Sequence, residues 1–317
     1  MKGISAAQRT HLSGASLLKL KNPLYKAAVE AVTLDELRRD LAGAGDITTS
    51  AFFSSTSQVT AKIIAKQAGV FAGRVEAEYL LSALQIPHTW KVKDGQSVEQ
   101  MQFLISLKGN ARDIFAAERT LLNLLGRMSG IATVAHILTQ KLRAADLQTV
   151  LTPTRKTLWG LVDKRACFIG GAGVHRLNLA DAILIKHPHL KASGLTLEQY
   201  LTKTLLTARK LKPRFVEVEV GNARDAYTAA AVFAHALANG LRVPCVILFD
   251  NMSPSQIRAS VKNIRADFAA KSLILEASGG ITGKNLLAYA KTGVDVISMG
   301  ALTNGSGVLD ISLRLVD

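Results

Sequence analysis

From about Leu147 onward the chain alternates between short strand-like runs and helical runs, and this alternation restricts the possible folds more than any other feature. We predict six strands, at Leu147–Leu151, Ala182–Lys186, Arg214–Val220, Val243–Asp250, Leu273–Ser278 and Val294–Gly300. We predict helices between them, at Leu195–Leu211, Ala223–Asn239, Ser253–Ala270 and Thr282–Thr292. Because strands that alternate with helices usually pair in parallel, the pattern predicts a parallel α/β sheet or barrel over residues 146–304.

The segment before Leu147 is organised differently. Strands are predicted at Val59–Ala65, Gly69–Ala72 and Trp90–Val92, and helices at Tyr25–Leu41, Val75–Leu84 and Asp113–Ala144. Ser129-Gly130 is a candidate point of close packing on the last of these helices. We therefore predict an α/β sandwich domain over residues 25–145, to which the strand-like run within residues 305–317 returns. Residues 1–24 are predicted to form a basic N-terminal arm.

Composition limits the function classes. The chain has 317 residues, 48% of them hydrophobic, so it can bury a large core and is not globally disordered. Its formal net charge is +15, but the basic residues are spread out and aromatic residues make up only 5%. This favours a pocket for anionic small substrates over a nucleic-acid surface.

Cysteine usage and hydropathy predict the compartment. Cys167 and Cys245 both lie in apolar segments, so we expect buried free thiols and a reducing, cytoplasmic location. No unbroken apolar run is long enough to span a bilayer, and we expect no membrane partner.

Five cationic or potentially cationic residues are concentrated between Thr152 and His189. They are Arg155, Lys156, His175, Arg176 and Lys186, and the only carboxylates in this window are Asp163 and Asp181. Each cation alone would be read as an ordinary surface charge. Together they favour a pocket for a small polyanion, because arginine offers a planar fork to carboxylates and phosphates and lysine acts as a point charge.

Polar residues also follow the predicted strands. At or just past their ends lie Arg155, Lys186, Glu219, Asp250, Ser278 and Gly300. In α/β barrels the site is built at the carboxyl ends of the strands. The acids Glu219 and Asp250 can hold Mg²⁺ or ribose hydroxyls there, although they can equally be capping or salt-bridging acids. We place Glu217 on the opposite side of its strand from Glu219 and leave it out of the site.

Two glycine-containing loops lie in the same half of the chain. Their residues are Ser278, Gly279, Gly280, Gly300 and Ala301. We expect both loops to present backbone N–H groups to a phosphate, helped by the N-terminus of a following helix.

Short motifs along the whole chain occur in a recognisable order. They are Gly45-Asp46-Ile47-Thr48-Thr49, Glu118-Arg119-Thr120, Ser129-Gly130-Ile131-Ala132-Thr133, Thr154-Arg155-Lys156-Thr157, His175-Arg176, Glu217-Val218-Glu219-Val220, Asp250-Asn251-Met252, Glu276-Ala277-Ser278-Gly279-Gly280-Ile281 and Gly300-Ala301-Leu302-Thr303. None is specific alone. In this order and spacing the chain resembles the quinolinate phosphoribosyltransferases, also called carboxylating nicotinate-nucleotide pyrophosphorylases.

The resemblance implies a seven-stranded α/β barrel beside the sandwich domain, and a homodimer or higher oligomer with shared active sites. It also implies transfer of phosphoribosyl from phosphoribosyl pyrophosphate to quinolinate with decarboxylation, a step of NAD biosynthesis that uses Mg²⁺. By the same resemblance Arg155, His175, Arg176 and Lys186 bind quinolinate. Lys156, Glu219 and Asp250 serve the phosphoribosyl pyrophosphate site. Arg119 reaches into the site of a neighbouring subunit.

Five residues, in three short segments, depart from the family pattern. Pro153 replaces an aspartate, His187-Pro188 replaces Asp-Asn, and Asn304-Gly305 replaces His-Ser. Two alternatives therefore stay open. One is a paralogue acting on another small acid, of the type associated with molybdenum transport, although Lys186 argues against it. The other is a non-enzymatic basic protein that binds nucleic acid.

Overall fold

The computed structural model describes residues 5–268 and 273–316, and these form two compact units. The first unit contains the described parts of 1–15, 138–156 and 172–304. The second contains residues 16–137, 157–171 and the described part of 305–317. Residues 5–15 therefore group with the parallel strands, whereas 16–24 group with the second unit, so the segment predicted as one arm is divided.

The elements of the described residues are as follows. The helices are α1 (Ala6–Ser13), α2 (Pro23–Val32), α3 (Leu34–Leu41), α4 (Ile47–Phe52), α5 (Arg74–Ala83), α6 (Ala111–Ala144), α7 (Leu161–Ile169), α8 (His187–Ser193), α9 (Leu197–Leu211), α10 (Ala223–Ala238), α11 (Pro254–Asp267) and α12 (Leu286–Ala290). The strands are β1 (Gln58–Ala65), β2 (Gly69–Val70), β3 (His88–Trp90), β4 (Ser97–Val98), β5 (Phe103–Asn110), β6 (Val150–Pro153), β7 (Ile183–Ile185), β8 (Val216–Val220), β9 (Cys245–Asp250), β10 (Leu273–Ser278), β11 (Val296–Met299) and β12 (Ile311–Leu315).

The first unit is built on a six-stranded parallel sheet in the order β6-β11-β10-β9-β8-β7. All six predicted strands are confirmed, with ends that differ by at most three residues. Two predicted helix starts are confirmed, because Thr196 caps α9 and Ser253 caps α11 through side-chain hydrogen bonds. The helix predicted from Thr282 begins later, at Leu286. The predicted end of α11, Ala270, lies outside the described residues.

The sheet curls around an apolar interior. One buried cluster joins side chains from or beside every strand of the sheet, together with one from α1: Ala7, Val150, Ala182, Phe215, Val246, Ile274 and Val296. A flat sheet could not bring its two edges into one cluster. The curvature therefore agrees with the predicted α/β barrel architecture.

A seventh parallel strand, implied by the family resemblance, is absent from the described residues. Residues 172–176 instead run along the free edge of β6, where Gly173 N–H donates to the Leu151 carbonyl at 2.7 Å. His175 has a φ of +49°, which breaks the extended conformation that a regular strand needs. The segment thus borders β6 without forming a ladder.

The second unit contains an antiparallel sheet in the order β12-β1-β5-β3. The predicted return of the last strand is confirmed, because β12 pairs with β1. Strand β5 was missed by the sequence prediction; it ends at Asn110, and α6 begins at the next residue. The helix predicted over Tyr25–Leu41 is divided at Thr33 into α2 and α3.

The long helix α6 packs closely at the predicted point. Ser129 Oγ accepts a hydrogen bond from Ala72 N–H at 3.0 Å, and a Cβ on Gly130 would overlap the backbone of Gly307. Among the described residues, α6 alone has the length and composition to cross a membrane, but 67% of its most apolar window is buried inside the protein. Its apolar side chains are thus largely used in internal packing.

Both cysteines are free and buried, as predicted. Burial raises the pKa of the Cys167 thiol to about 12, and it raises the pKa of the Cys245 thiol to about 12 as well. Neither thiol is poised to react as a thiolate near neutral pH.

Candidate active site

A cavity of about 720 Å³ opens at the carboxyl ends of the parallel strands. This volume is in the range of sites for small molecules and cofactors. Twelve of the thirteen predicted site residues line it: Arg155, Lys156, His175, Arg176, Lys186, Glu219, Asp250, Ser278, Gly279, Gly280, Gly300 and Ala301. The exception, Arg119, lies exposed on α6 in the second unit.

Two guanidinium groups face the cavity. Arg155 is exposed just past β6, whereas Arg176 is buried at the end of the 172–176 segment. Burial, followed by the positive charge of Arg155, lowers the pKa of Arg176. Two like charges held near each other in a cavity are stabilised by an anion placed between them.

The two carboxylates that the sequence places between Thr152 and His189 pair with arginines outside that window. Asp163 accepts two hydrogen bonds from Arg127, at 2.8 and 2.6 Å, and Asp181 accepts one from Arg214 Nε at 3.0 Å. Lys186 has an acidic partner within the cavity, since its Nζ lies 2.6 Å from Glu219 Oε1. The sequence predicted an excess of positive charge because few acids lie in this window. The structure adds a second reason, since Asp163 and Asp181 are already paired with Arg127 and Arg214.

The two strand-end acids share the inner face of the sheet. Glu219 on β8 lies beside Leu248 on β9, and Asp250 follows two residues later on that strand. Residues two apart on a strand point to the same side. Both side chains are half-buried and line the cavity, so their oxygens are available to a ligand or a hard cation.

The backbones of the two glycine-containing loops line the same cavity. Gly279 has a φ of +95°, and a Cβ there would lie 2.8 Å from the Asn251 nitrogen, so only glycine fits. Thr303 Oγ1 donates to the Lys156 carbonyl at 2.8 Å and ties the end of the barrel segment to the loop that carries Lys156. The predicted helix contribution was wrong for the first loop, because α12 begins at Leu286 and does not follow Gly280 directly.

Beneath the cavity lies a buried ionic cluster that the sequence analysis missed. His175 Nε2 is 3.3 Å from Glu217 Oε2 and 3.2 Å from Glu276 Oε1. The placement of Glu217 away from Glu219 was wrong, because residues two apart on β8 lie on one face and both point inward. Glu276 begins the motif that contains Ser278, Gly279 and Gly280, but it was not predicted as a site residue. Thr154, Asn251 and Ser298 also line the cavity and were not predicted.

The cluster holds a protonated imidazole. Burial by itself would lower the pKa of His175, but the charges of Glu217 and Glu276 outweigh it and raise the pKa to about 9. Burial also acts on the carboxyls: it raises the pKa of Glu217, whereas the attraction of His175 brings the pKa of Glu276 below its ordinary value. Glu276 is therefore the firmer anion of the two, and His175 adds a positive charge to the cavity floor.

The departures from the family pattern lie at the cavity margin. Pro153 is buried as the last residue of β6, beside Met299 of β11. His187 and His189 are exposed in α8, where His189 Nδ1 accepts from the Lys186 N–H at 3.0 Å. Asn304 is exposed after the Gly300 turn. None of these four residues lines the cavity.

Comparison with known proteins gives the family. Residues 131–314 match the C-terminal domain of quinolinate phosphoribosyl transferase, and residues 46–129 match its N-terminal domain. The chain belongs to the quinolinate phosphoribosyl transferase family. Together the two matches include every candidate site residue, from Arg119 to Ala301.

Similar proteins in the family span nearly the whole chain. A carboxylating nicotinate-nucleotide pyrophosphorylase from Mycobacterium leprae is 35% identical over 285 residues, covering 88% of this chain and 94% of that protein. The Homo sapiens protein of the same name is 32% identical over 286 residues, covering 88% and 89%. A solved structure of the enzyme from Francisella tularensis has a TM-score of 0.78 and 32% identity, covering 92% and 96%.

The raised pKa of His175 predicts a pH-dependent stability. Because folding raises this pKa from 6.5 to about 9, the stabilisation is complete below about pH 6.5 and is lost as the pH rises through 9, by about 3 kcal/mol. The free energy of unfolding, measured with urea at pH 6, 8 and 10, gives the size of this loss. A His175→Asn variant is the control and should lack this part of the decline. Parallel declines in the two proteins would contradict the assignment.

Proposed function

We propose that this protein transfers phosphoribosyl from phosphoribosyl pyrophosphate to quinolinate with loss of CO₂, giving nicotinate mononucleotide and pyrophosphate for NAD biosynthesis. Its membership of the quinolinate phosphoribosyl transferase family supports this function. The observation that carries it is the pair of close guanidinium groups, Arg155 and Arg176, in one cavity with the strand-end acids. A planar dicarboxylate and a phosphorylated sugar need these two kinds of surface.

The cationic end of the cavity suits the dicarboxylate. Arg155 and Arg176 provide planar forks for its two carboxylates, and the protonated His175 adds charge from below. Lys186, held by Glu219, lies on the same rim and is poised to bind one carboxylate. We assign these four residues to quinolinate.

The acidic and glycine-rich end suits phosphoribosyl pyrophosphate. Lys156 lies beside the Gly300 turn, and Ser278, Gly279 and Gly280 form the neighbouring loop. Backbone N–H groups in such loops bind phosphate oxygens. The oxygens of Glu219 and Asp250 fit a hard divalent cation, since Glu219 retains one oxygen beyond its contact with Lys186. We assign Mg²⁺ to these two acids, where it would offset pyrophosphate charge.

The chemistry needs position and charge more than proton transfer. The quinolinate nitrogen attacks C1 of the sugar while pyrophosphate leaves, and Lys156 offsets the charge that grows on the leaving group. The pyridinium nitrogen then stabilises the carbanion left on C2 when the 2-carboxylate departs as CO₂, and a proton from solvent adds to C2 to give nicotinate mononucleotide. The arginine forks hold the ring in the plane that suits attack. No general base is required, and we assign none.

The dicarboxylate clamp predicts a strong effect of a conservative change. Arg155→Lys and Arg176→Lys should each raise the barrier for quinolinate by about 2–4 kcal/mol, because lysine cannot make a bidentate contact. The measurement is nicotinate mononucleotide formation from quinolinate, with nicotinate as the comparison substrate. Arg209→Lys, at an exposed position on α9, is the matched control.

The same assay separates the alternatives. Turnover of quinolinate but not nicotinate supports the proposed reaction. A wild-type protein that ignores quinolinate would favour a paralogue acting on another acid. Salt-sensitive binding of DNA without turnover would favour a nucleic-acid binder.

The metal assignment predicts a change in Mg²⁺ requirement. Glu219→Gln and Asp250→Asn should each raise the Mg²⁺ concentration for half-maximal rate by about tenfold or more, because each removes one anionic oxygen donor. Titration of Mg²⁺ at saturating substrates measures this. Asp310→Asn, an exposed acid paired with Lys66 in the second unit, is the control. An unchanged Mg²⁺ curve in both site variants would assign the two acids a structural role.

We further propose a dimer in which Arg119 serves the partner's site. The proposal rests on the family match at Glu118-Arg119-Thr120 and on the exposure of Arg119 outside the cavity. In a two-fold dimer such an exchange is reciprocal. A cytoplasmic location, with no nucleic-acid or membrane partner, stays a prediction alongside it.

Subunit mixing tests the shared site. Arg119→Ala and Lys186→Ala are each expected to be inactive, but in a mixed dimer one site has its own Lys186 and an intact partner Arg119. Random exchange should therefore restore about a quarter of wild-type activity. Exchange can be verified with differently tagged subunits. Verified exchange without recovery would place both residues in the same subunit's site.

A further inference from the structure

Helix α1 lies outside both stretches that match the family, which begin at residue 46. It is nevertheless a well-formed part of the first unit. Ser5 and Gln8 make reciprocal hydrogen bonds that start the helix, at 2.9 and 3.1 Å. Its buried residues, Ala7, Thr10 and His11, are spaced three and four apart, so they form one face.

That face contacts the barrel interior from below. Ala7 joins the apolar cluster formed by residues at the amino ends of the strands. His11 is fully buried, and its ring centre is 5.3 Å from that of Phe215. The helix therefore closes the end of the barrel opposite the cavity, and His11 lies at its innermost point.

His11 also contacts the ionic cluster. Its ring centre is 5.3 Å from that of His175, and its Nε2 is 3.8 Å from Glu276 Oε2. The other oxygen of Glu276 is the one that pairs with His175. His11 thus lies against both His175 and Glu276, the two residues whose contact positions His175 in the cavity floor.

The backbone of α1 supports the same segment. The His11 carbonyl accepts a hydrogen bond from Val174 N–H at 2.9 Å, and the Thr10 carbonyl accepts one from Arg214 Nη1 at 2.6 Å. Arg214 also donates to the His175 carbonyl. Gly173 allows this approach, because a Cβ there would lie 2.9 Å from the His11 oxygen. The positive φ of His175 is therefore held by two hydrogen bonds, one from the preceding Val174 N–H to α1 and one from Arg214 to the His175 carbonyl.

We propose that α1 is part of the active-site scaffold and that His11 is a positioning residue for His175. It acts through two contacts, ring packing against His175 and the approach to Glu276. The N-terminal helix thereby sets the affinity for the dicarboxylate substrate from beneath the cavity. This inference rests on the proposed function, since it concerns the site that binds quinolinate.

A metal ion is the competing explanation of the same residues. Ligand atoms of His11, His175 and Glu276 lie within 4.8 Å of one another. Both carboxylates, however, already lie 3.2–3.3 Å from a protonated His175, with the Arg176 charge nearby. The proton on His175 already balances the negative charge of the carboxylates. We therefore assign His11 to the positioning of His175 and not to metal binding.

Three variants test the proposal. His11→Ala removes both contacts and should raise the Kd and KM for quinolinate by about tenfold. His11→Phe keeps the ring packing but loses the approach to Glu276, so a rise of about threefold is expected. Gln8→Ala, on the same helix, weakens only the helix start and should lower Tm without changing quinolinate binding. The KM for phosphoribosyl pyrophosphate should stay within about twofold in all three.

The outcomes are distinct. Quinolinate constants within about twofold of wild type in the His11 variants, whatever their Tm, would reduce α1 to a structural plug and overturn the proposal. If His11→Ala does not fold, His11→Phe decides the question alone. One bound zinc ion per chain in wild type, lost in His11→Phe, would also overturn it. Calorimetric binding of quinolinate without the second substrate separates this test from failure of the catalysed reaction.

Discussion

A buried imidazole between two carboxylates determines how the cavity works. His175 Nε2 lies 3.2–3.3 Å from oxygens of Glu217 and Glu276, deep in the first unit. Neither carboxylate could be buried there without a positive partner, and the imidazole could not stay protonated without them. Three residues from three chain segments thus require one another. The charge they share gives the cavity a cationic floor.

This cluster separates two different environments inside the barrel. Below it, apolar residues such as Val246, Ile274 and Ala7 of α1 pack in a dry interior. Above it, polar residues at the strand ends line a cavity of about 720 Å³. The change from dry interior to polar cavity occurs within two residues on β8, from buried Glu217 to half-buried Glu219. Stability and ligand binding therefore depend on neighbouring layers of the same strands.

The positive charge of the cavity is local, although the whole chain carries a net charge of +15. Asp163 and Asp181 neutralise Arg127 and Arg214, and Glu219 neutralises Lys186. Arg155 and Arg176 remain close enough for one to lower the pKa of the other. Repulsion between two held guanidinium groups is a cost of the ligand-free protein that a bound dicarboxylate removes.

The sequence by itself determined the parallel sheet and twelve of the thirteen candidate residues of the cavity. It could do so because parallel strands end at one edge, so polar residues that follow separate strands, such as Lys186, Asp250 and Ser278, must converge. Only the tertiary structure decided what lies beneath them. His11 is more than 160 positions from His175 in the chain, and no local pattern marks it as a core residue. The seventh strand is replaced by the 172–176 segment because its hydrogen bonds go to β6 and to α1. Such contacts between distant segments depend on which side chains meet in the curled sheet, and strand periodicity does not specify that.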